Sequence, residues 1–268
     1  MPPVRVRLWQ SEWDDGQPEL NQQRALAAIR SSAGQADLLV LPETCLQGFA
    51  TPADIATLAI PVASPCVAAM RQAAREAQVS VVFGFAEAED GRYFNSAVLV
   101  DERGDILLKY RKTHLYKSDH GVFEAGTSYP VCAWHGLRVG LLICLDIEFP
   151  EPARALAMQG AELIVVADGN MDFSAPLHRQ VIPVRALESQ VHVVMANRVG
   201  RGRDYTFGGQ SLAADPFGRC IGEASAHQAQ QLDVLVDRQA TTMARAELDY
   251  LQIARTTAPG VARVIDAH

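Results

Sequence analysis

Short apolar runs recur along the chain, and several have no polar face: Asp37-Leu-Leu-Val-Leu41 and Val139-Gly-Leu-Leu-Ile143 are apolar at successive positions. Side chains of a strand alternate between two sides, so such a run must be covered on both. This excludes a sheet with one wet face and demands a layered α/β fold. Strands are expected at Val4–Trp9, Asp37–Leu41, Ser80–Phe85, Ser96–Val100, Ile106–Tyr110, Val139–Cys144, Leu163–Ala167, His192–Ala196, Gln210–Ala214 and Gln231–Val236. Segments of helical period fall between them, at Pro18–Ser31, Ser64–Gln78, Glu151–Met158, Ala175–Ser189 and Met243–Arg255. Turn chemistry at Asp101-Glu-Arg-Gly-Asp105 and Asp215-Pro-Phe-Gly218 adds antiparallel hairpins, so the sheet is mixed. No repeat or linker divides the 268 residues, and one domain over 1–268 is expected.

Charge narrows the partners. The formal net charge is −7, and the basic stretches Lys109–Lys112 and Arg198–Arg203 are short, which argues against a nucleic-acid partner. The uncharged run Ile55–Met70 is interrupted by Pro61 and Pro65 and is too short to span a bilayer, so no membrane partner is expected. Five cysteines (Cys45, Cys66, Cys132, Cys144, Cys220) form no Cys-x-x-Cys pair. Free thiols in a reducing, cytoplasmic setting fit that usage.

Ligands of open α/β sheets bind beyond the carboxyl ends of strands. Glu43, Lys112 and Cys144 each follow an apolar run there. Each alone has an ordinary reading: a turn carboxylate, a charge protecting an edge strand, a packed thiol. Together, a thiol, a carboxylate and an ammonium suffice for nucleophilic hydrolysis of a carbonyl compound. Pro150-Glu-Pro152 opens a helix after Cys144, and a strand-to-helix turn of this kind is expected to lower the thiol pKa and offer backbone N–H donors. There is no Gly-x-Ser-x-Gly, complete dinucleotide fingerprint, phosphate loop or His-Glu-x-x-His; His114, His178 and His192 read as core or pocket-wall residues. No metal and no cofactor are implied.

These residues resemble the motifs of the nitrilase superfamily of carbon-nitrogen hydrolases. Leu39-Val-Leu-Pro-Glu43 is similar to its first-glutamate motif, Tyr110-Arg-Lys-Thr-His-Leu115 to its lysine motif, and Gly140-Leu-Leu-Ile-Cys144-Leu-Asp146 to its nucleophile motif. The likeness runs on through Phe149-Pro-Glu151, Arg154, Gly160-Ala161, Arg185-Ala-Leu-Glu188, Asn197-Arg-Val-Gly200 and Asp215-Pro-Phe-Gly218. Within the superfamily, Tyr110–Leu115 and Asp168-Gly-Asn-Met-Asp172 look most like bacterial amidases of the R-stereoselective kind. Three positions depart from the pattern: Leu145 where an aromatic is common, Ser189 for an Asn, and Asp119 for a second glutamate.

The resemblance implies a four-layer αββα sandwich with mixed sheets, assembled as a homodimer or higher homo-oligomer. It implies an amidase of small carboxamides, with a nitrilase or N-carbamoyl amide hydrolase, or a silent binding scaffold, as alternatives. Cys144 would be the nucleophile, Glu43 the acid and base, and Lys112 with the Leu145 N–H the oxyanion site. Asp119 would orient Lys112 or the substrate. Asn170, Phe49, Tyr116, Trp134 and Phe173 are the expected pocket walls.

Overall fold

The computed structural model describes residues 2–255 of the chain. Its first half supplies β1 (Val4–Gln10), α1 (Pro18–Ser31), β2 (Leu38–Val40), α2 (Ile55–Leu58), α3 (Pro65–Ala77), β3 (Ser80–Glu89), β4 (Arg92–Val100) and β5 (Ile106–Arg111). The second half supplies β6 (Val131–Trp134), β7 (Leu137–Ile143), α4 (Pro150–Met158), β8 (Leu163–Asp168), α5 (Ala175–Ser189) and β9 (His192–Asn197). It continues with β10 (Val199–Arg201), β11 (Thr206–Gly208), β12 (Leu212–Ala214), β13 (Cys220–Glu223), β14 (Gln230–Val236), α6 (Ala240–Glu247) and α7 (Tyr250–Ile253).

Among the described residues these strands build two six-stranded sheets, β14-β1-β2-β3-β4-β5 and β13-β12-β9-β8-β7-β6, beside a small β10-β11 hairpin. Both are mixed. In the first, β1, β2 and β3 run parallel and the outer pairs antiparallel. In the second, β7, β8 and β9 are the parallel centre.

The two-sided apolar strands explain the layering. On β2, Leu38 and Val40 enter the core between the sheets, while Leu39 and the following Leu41 pack beneath α1 and α3. On β3, Val82 faces the other sheet, and Val81 and Phe83 face the helices. On the far side β7–β9 meet α4 and α5 through Leu156, Ile182 and Ala186. The order is helix, sheet, sheet, helix: a four-layer αββα sandwich. Each fully buried Val, Leu or Ile contributes about 1.5–3 kcal/mol, so the layer between the sheets is a principal source of stability.

The structure corrects two expectations and adds a strand. The expected helix Met243–Arg255 is two helices, because Leu248 is extended and the Asp249 carboxylate caps a new one, accepting from the Leu251 and Gln252 N–H groups. Strand β6 was not anticipated. It carries Trp134, expected in the substrate pocket, into the core between the sheets, where its indole N–H donates to Ser80 Oγ at 2.9 Å. That contact lies at the N-terminal ends of β3 and β7, away from the ends that carry Glu43 and Cys144. The single domain expected over 1–268 includes Met1 and residues 256–268, which lie outside the described residues. No helix among the described residues is long and apolar enough to cross a membrane.

Candidate active site

Three strand ends converge between the sheets. β7 stops at Ile143, and Cys144 opens a 3-10 turn over 144–148 rather than ending the strand. Its φ of 45° is left-handed, a conformation that costs a non-glycine residue about 1–3 kcal/mol and persists only where its surroundings enforce it. Ile143 is paired with Ala167 on the parallel strand β8, so the next residues, Cys144 and Asp168, emerge side by side. From the other sheet, the Glu43 N–H donates to the Asp168 carbonyl at 3.2 Å, docking the end of β2 onto the end of β8. Gly84 makes room for that turn: a Cβ there would stand 2.5 Å from Thr44 N and 2.9 Å from Glu43 Cα. Lys112 follows β5, held by its N–H to the Asn95 carbonyl on β4 at 2.8 Å.

The side chains form one buried network. Lys112 Nζ donates to Glu43 Oε1 at 2.8 Å and to Asp119 Oδ2 at 2.7 Å, and Asn95 Nδ2 donates to the same Glu43 oxygen at 2.7 Å. Asp119 Oδ2 also accepts the Tyr116 N–H at 2.9 Å. Glu43 Oε2 has no hydrogen-bond partner among the described residues, and a Cβ on Gly169 would approach it to 2.6 Å. Donor atoms of Glu43, Cys144 and Asp168 lie within 4.8 Å of one another. Such a trio could ligate a cation, but Lys112 already holds Glu43, and His178 holds Asp168 at 2.9 Å. Two cationic partners beside an added metal ion would oppose it.

Burial dominates the electrostatics. It pushes the Glu43 carboxyl above its ordinary pKa, and Asp119 and Asp168 add to that while Lys112 opposes it. Burial would lower Lys112, yet the Glu43 and Asp119 carboxylates outweigh it and hold the ammonium well above its usual value. Cys144 is raised well above a free thiol, first by burial, then by the Glu43 and Asp168 carboxylates; Lys112 and the Gly169 N–H only partly offset them. The expected lowering of the thiol pKa is therefore reversed. A resting thiol needs a base at the moment of attack, and Glu43 is beside it.

Asp146 ties the lysine motif to the nucleophile turn. Its carboxylate is fully buried and accepts from Tyr110 Oη at 2.7 Å, Thr113 Oγ1 at 2.9 Å and the His114 N–H at 2.9 Å. Two motifs distant in sequence are thus held as one unit.

A cavity of about 220 Å³ opens beside the network, walled by Phe49, Thr51, Asn95, Asp119, Phe123 and Tyr205 among others. It touches the partners of Glu43 and Lys112, while Cys144, 6% exposed, is not part of its wall. Tyr116 stands next to it, its ring edge-on to Tyr205 at 6.4 Å between centroids. Leu145 is half-buried in the nucleophile turn. Besides Trp134, two expected wall residues lie elsewhere. Phe173 is on the surface, 72% exposed. Asn170 uses both ends of its amide on Ser174, accepting from Oγ at 2.5 Å and donating to the carbonyl at 3.1 Å. Sequence reasoning missed Asn95, Asp168 and Tyr205 as site residues; only Asp168, one residue past an apolar run in parallel with that of Cys144, carried a usable signal.

The carbon-nitrogen hydrolase family pattern matches residues 5–246. An (R)-stereoselective amidase from a Pseudomonas species is 45% identical, over 96% of this chain and 93% of that protein. A solved amidase from a Nesterenkonia species superposes with a TM-score of 0.86 at 28% identity, covering 95% of this chain and 94% of that one. A glutamate-to-glutamine variant of the Nesterenkonia sp. AN1 amidase superposes with a TM-score of 0.85 at 27% identity, covering 95% of this chain and 94% of that one. That structure carries the acetamide moiety of fluoroacetamide, covalently added at the active-site cysteine. With the three ordered motifs, the αββα layers and this extent of match, the chain belongs to the carbon-nitrogen hydrolase family of the nitrilase superfamily.

Proposed function

We propose that the protein is an amidase that hydrolyses a small carboxamide to a carboxylic acid and ammonia through a thioester on Cys144. The supporting observation is the division of labour within Glu43. Oε1 is occupied by Lys112 and Asn95, while Oε2, in a carboxylate close to the thiol, is buried without a partner among the described residues.

Cys144 Sγ attacks the amide carbon as its proton passes to Glu43. The oxyanion is held by the Lys112 ammonium and the Leu145 N–H. Glu43 returns the proton to the nitrogen, the C–N bond breaks and ammonia leaves. Water then adds to the thioester with Glu43 as base, the C–S bond breaks, and the proton on Glu43 restores the thiol. Raised pKa values on both acid and thiol suit this exchange, because neither group holds its charge strongly against the other.

Incubation with matched primary amide, nitrile and N-carbamoyl substrates, with ammonia and acid measured, tests the reading. The amide is expected to turn over fastest. Preferential conversion of the nitrile or carbamoyl compound would transfer the assignment to those reactions, and no turnover of any would favour a silent scaffold.

Asp119 has a checkable part. It is 8% exposed and bonded directly to Lys112, which excludes a solvent-facing loop acid. A hydrogen bond between charged groups contributes about 1.5–3 kcal/mol, so Asp119→Asn is expected to slow kcat about 10- to 100-fold. Asp119→Glu keeps the charge and is expected to lose less. Equal rates for all three proteins would leave Asp119 outside the mechanism.

A further inference from the structure

Behind Cys144 lies a second charged chain that the reaction scheme does not use. His178, on α5, is fully buried. Its Nδ1 lies 2.9 Å from Asp168 Oδ2, and its Nε2 lies 3.1 Å from Glu148 Oε1. Each ring nitrogen faces a carboxylate oxygen. A neutral imidazole has one donor and one acceptor, so one nitrogen would set a lone pair against an anion; the imidazolium donates at both. Glu148 closes the 3-10 turn that Cys144 opens, and Asp168 ends the strand beside it. The chain therefore joins the nucleophile turn, β8 and α5.

We propose that His178 is a positioning residue: as an imidazolium clamped between Asp168 and Glu148, it balances the Asp168 carboxylate so that this anion does not suppress formation of the Cys144 thiolate. This rests on Cys144 being the nucleophile.

The neighbouring charges support it. The sulfur faces two carboxylates, Glu43 from the end of β2 and Asp168 from the end of β8. Lys112, from the end of β5, is shared between Glu43 and Asp119. The turn contributes Asp146, which is bonded to Tyr110, Thr113 and His114. On α5, Arg185 bonds the Ile147 and Glu148 carbonyls and the Glu188 side chain. His178 is the cation bonded to Asp168. Burial alone would lower its pKa, but the Asp168 and Glu148 carboxylates hold it up at about 9, so it stays charged at neutral pH. Among the described residues Asp168 Oδ1 has no hydrogen-bond partner, so His178 is the one cation bonded to this carboxylate there.

The test compares His178→Gln, Asp168→Asn and the double variant with the unaltered enzyme. Each is read by kcat and KM and by the pH profile of iodoacetamide alkylation at Cys144, located by peptide mass spectrometry. His178→Gln keeps a donor but removes the charge. A nearby uncompensated charge is expected to lower kcat and neutral-pH alkylation about 10- to 100-fold with little change in KM, and to move the alkylation profile to higher pH. Adding Asp168→Asn should recover most of that loss. Asp168→Asn alone should move the profile to lower pH, which provides a reading even if His178→Gln fails to fold. Losses that simply add in the double variant, or profiles that do not move, would assign His178 to packing and overturn the inference. Absence of Cys144 labelling in the unaltered enzyme would overturn the nucleophile assignment and this inference with it. Labelling with unmoved profiles would overturn this inference alone.

Discussion

Glu43→Gln is expected to lose at least about 1000-fold in amide turnover while Cys144 remains open to alkylation, with its alkylation profile moved to lower pH. The two effects share one cause. After burial, the Glu43 carboxylate is the largest influence raising the Cys144 pKa, and the Lys112 ammonium opposes it. A neutral amide removes the first and leaves the second. The thiolate becomes easier to form, yet no group carries a proton to the departing nitrogen or activates water. Measuring kcat beside the alkylation rate from pH 6 to about pH 10 decides it. Near-normal turnover, or a profile moved upward, would remove Glu43 from its assigned role.

Lys112→Met should be as damaging to turnover and far more damaging to stability. Loss of one oxyanion donor costs about 100- to 1000-fold in rate, and this substitution also releases Glu43 and Asp119 from their shared cation. Removing one partner from a buried ion pair destabilises a protein by about 3–5 kcal/mol. Burial already holds the Glu43 carboxyl above its ordinary pKa, and losing the Lys112 ammonium removes what opposes that, so in the variant this carboxyl will bind its proton still more tightly when folded than when unfolded. Stability contributed by such protons is present at low pH and lost as pH rises through the folded pKa. Thermal melts should therefore show the variant recovering part of its lost stability as the solution is taken from about pH 8 to about pH 5. A variant that melts like the parent at both ends of that range and retains its turnover would refute the buried-cation role.

Strands covered on both faces were legible because runs such as Asp37–Leu41 and Val139–Ile143 are apolar at successive positions, whereas the count of four layers came from the family resemblance. What escaped was set by contacts distant in sequence. β6 is short and half-exposed, so only its pairing with β7 defines it. The β10-β11 hairpin falls in the basic stretch Arg198–Arg203, where nothing local shows that Arg198 is buried against Asp15 at 2.9 Å. Glu43, Lys112 and Cys144 could be named from chemistry and position. Asn95 could not, because nothing in Phe94-Asn95-Ser96 indicates that its amide meets Glu43 52 residues away. The direction of the Cys144 pKa was missed for a related reason: a turn and a lysine are visible locally, whereas two carboxylates and complete burial are products of packing.

The bond from the Glu43 N–H to the Asp168 carbonyl also bears on how the enzyme matures. Glu43 belongs to one sheet and Cys144 to the other, so neither half of the chain can hold a working site alone. Activity should appear only with the last long-range step of folding, when the two sheets dock and expel water between them. In a refolding experiment, helical and strand signals should return before catalysis does. A chain stalled between the two would carry its nucleophile and its base on separate, solvent-wetted surfaces, chemically complete and inert.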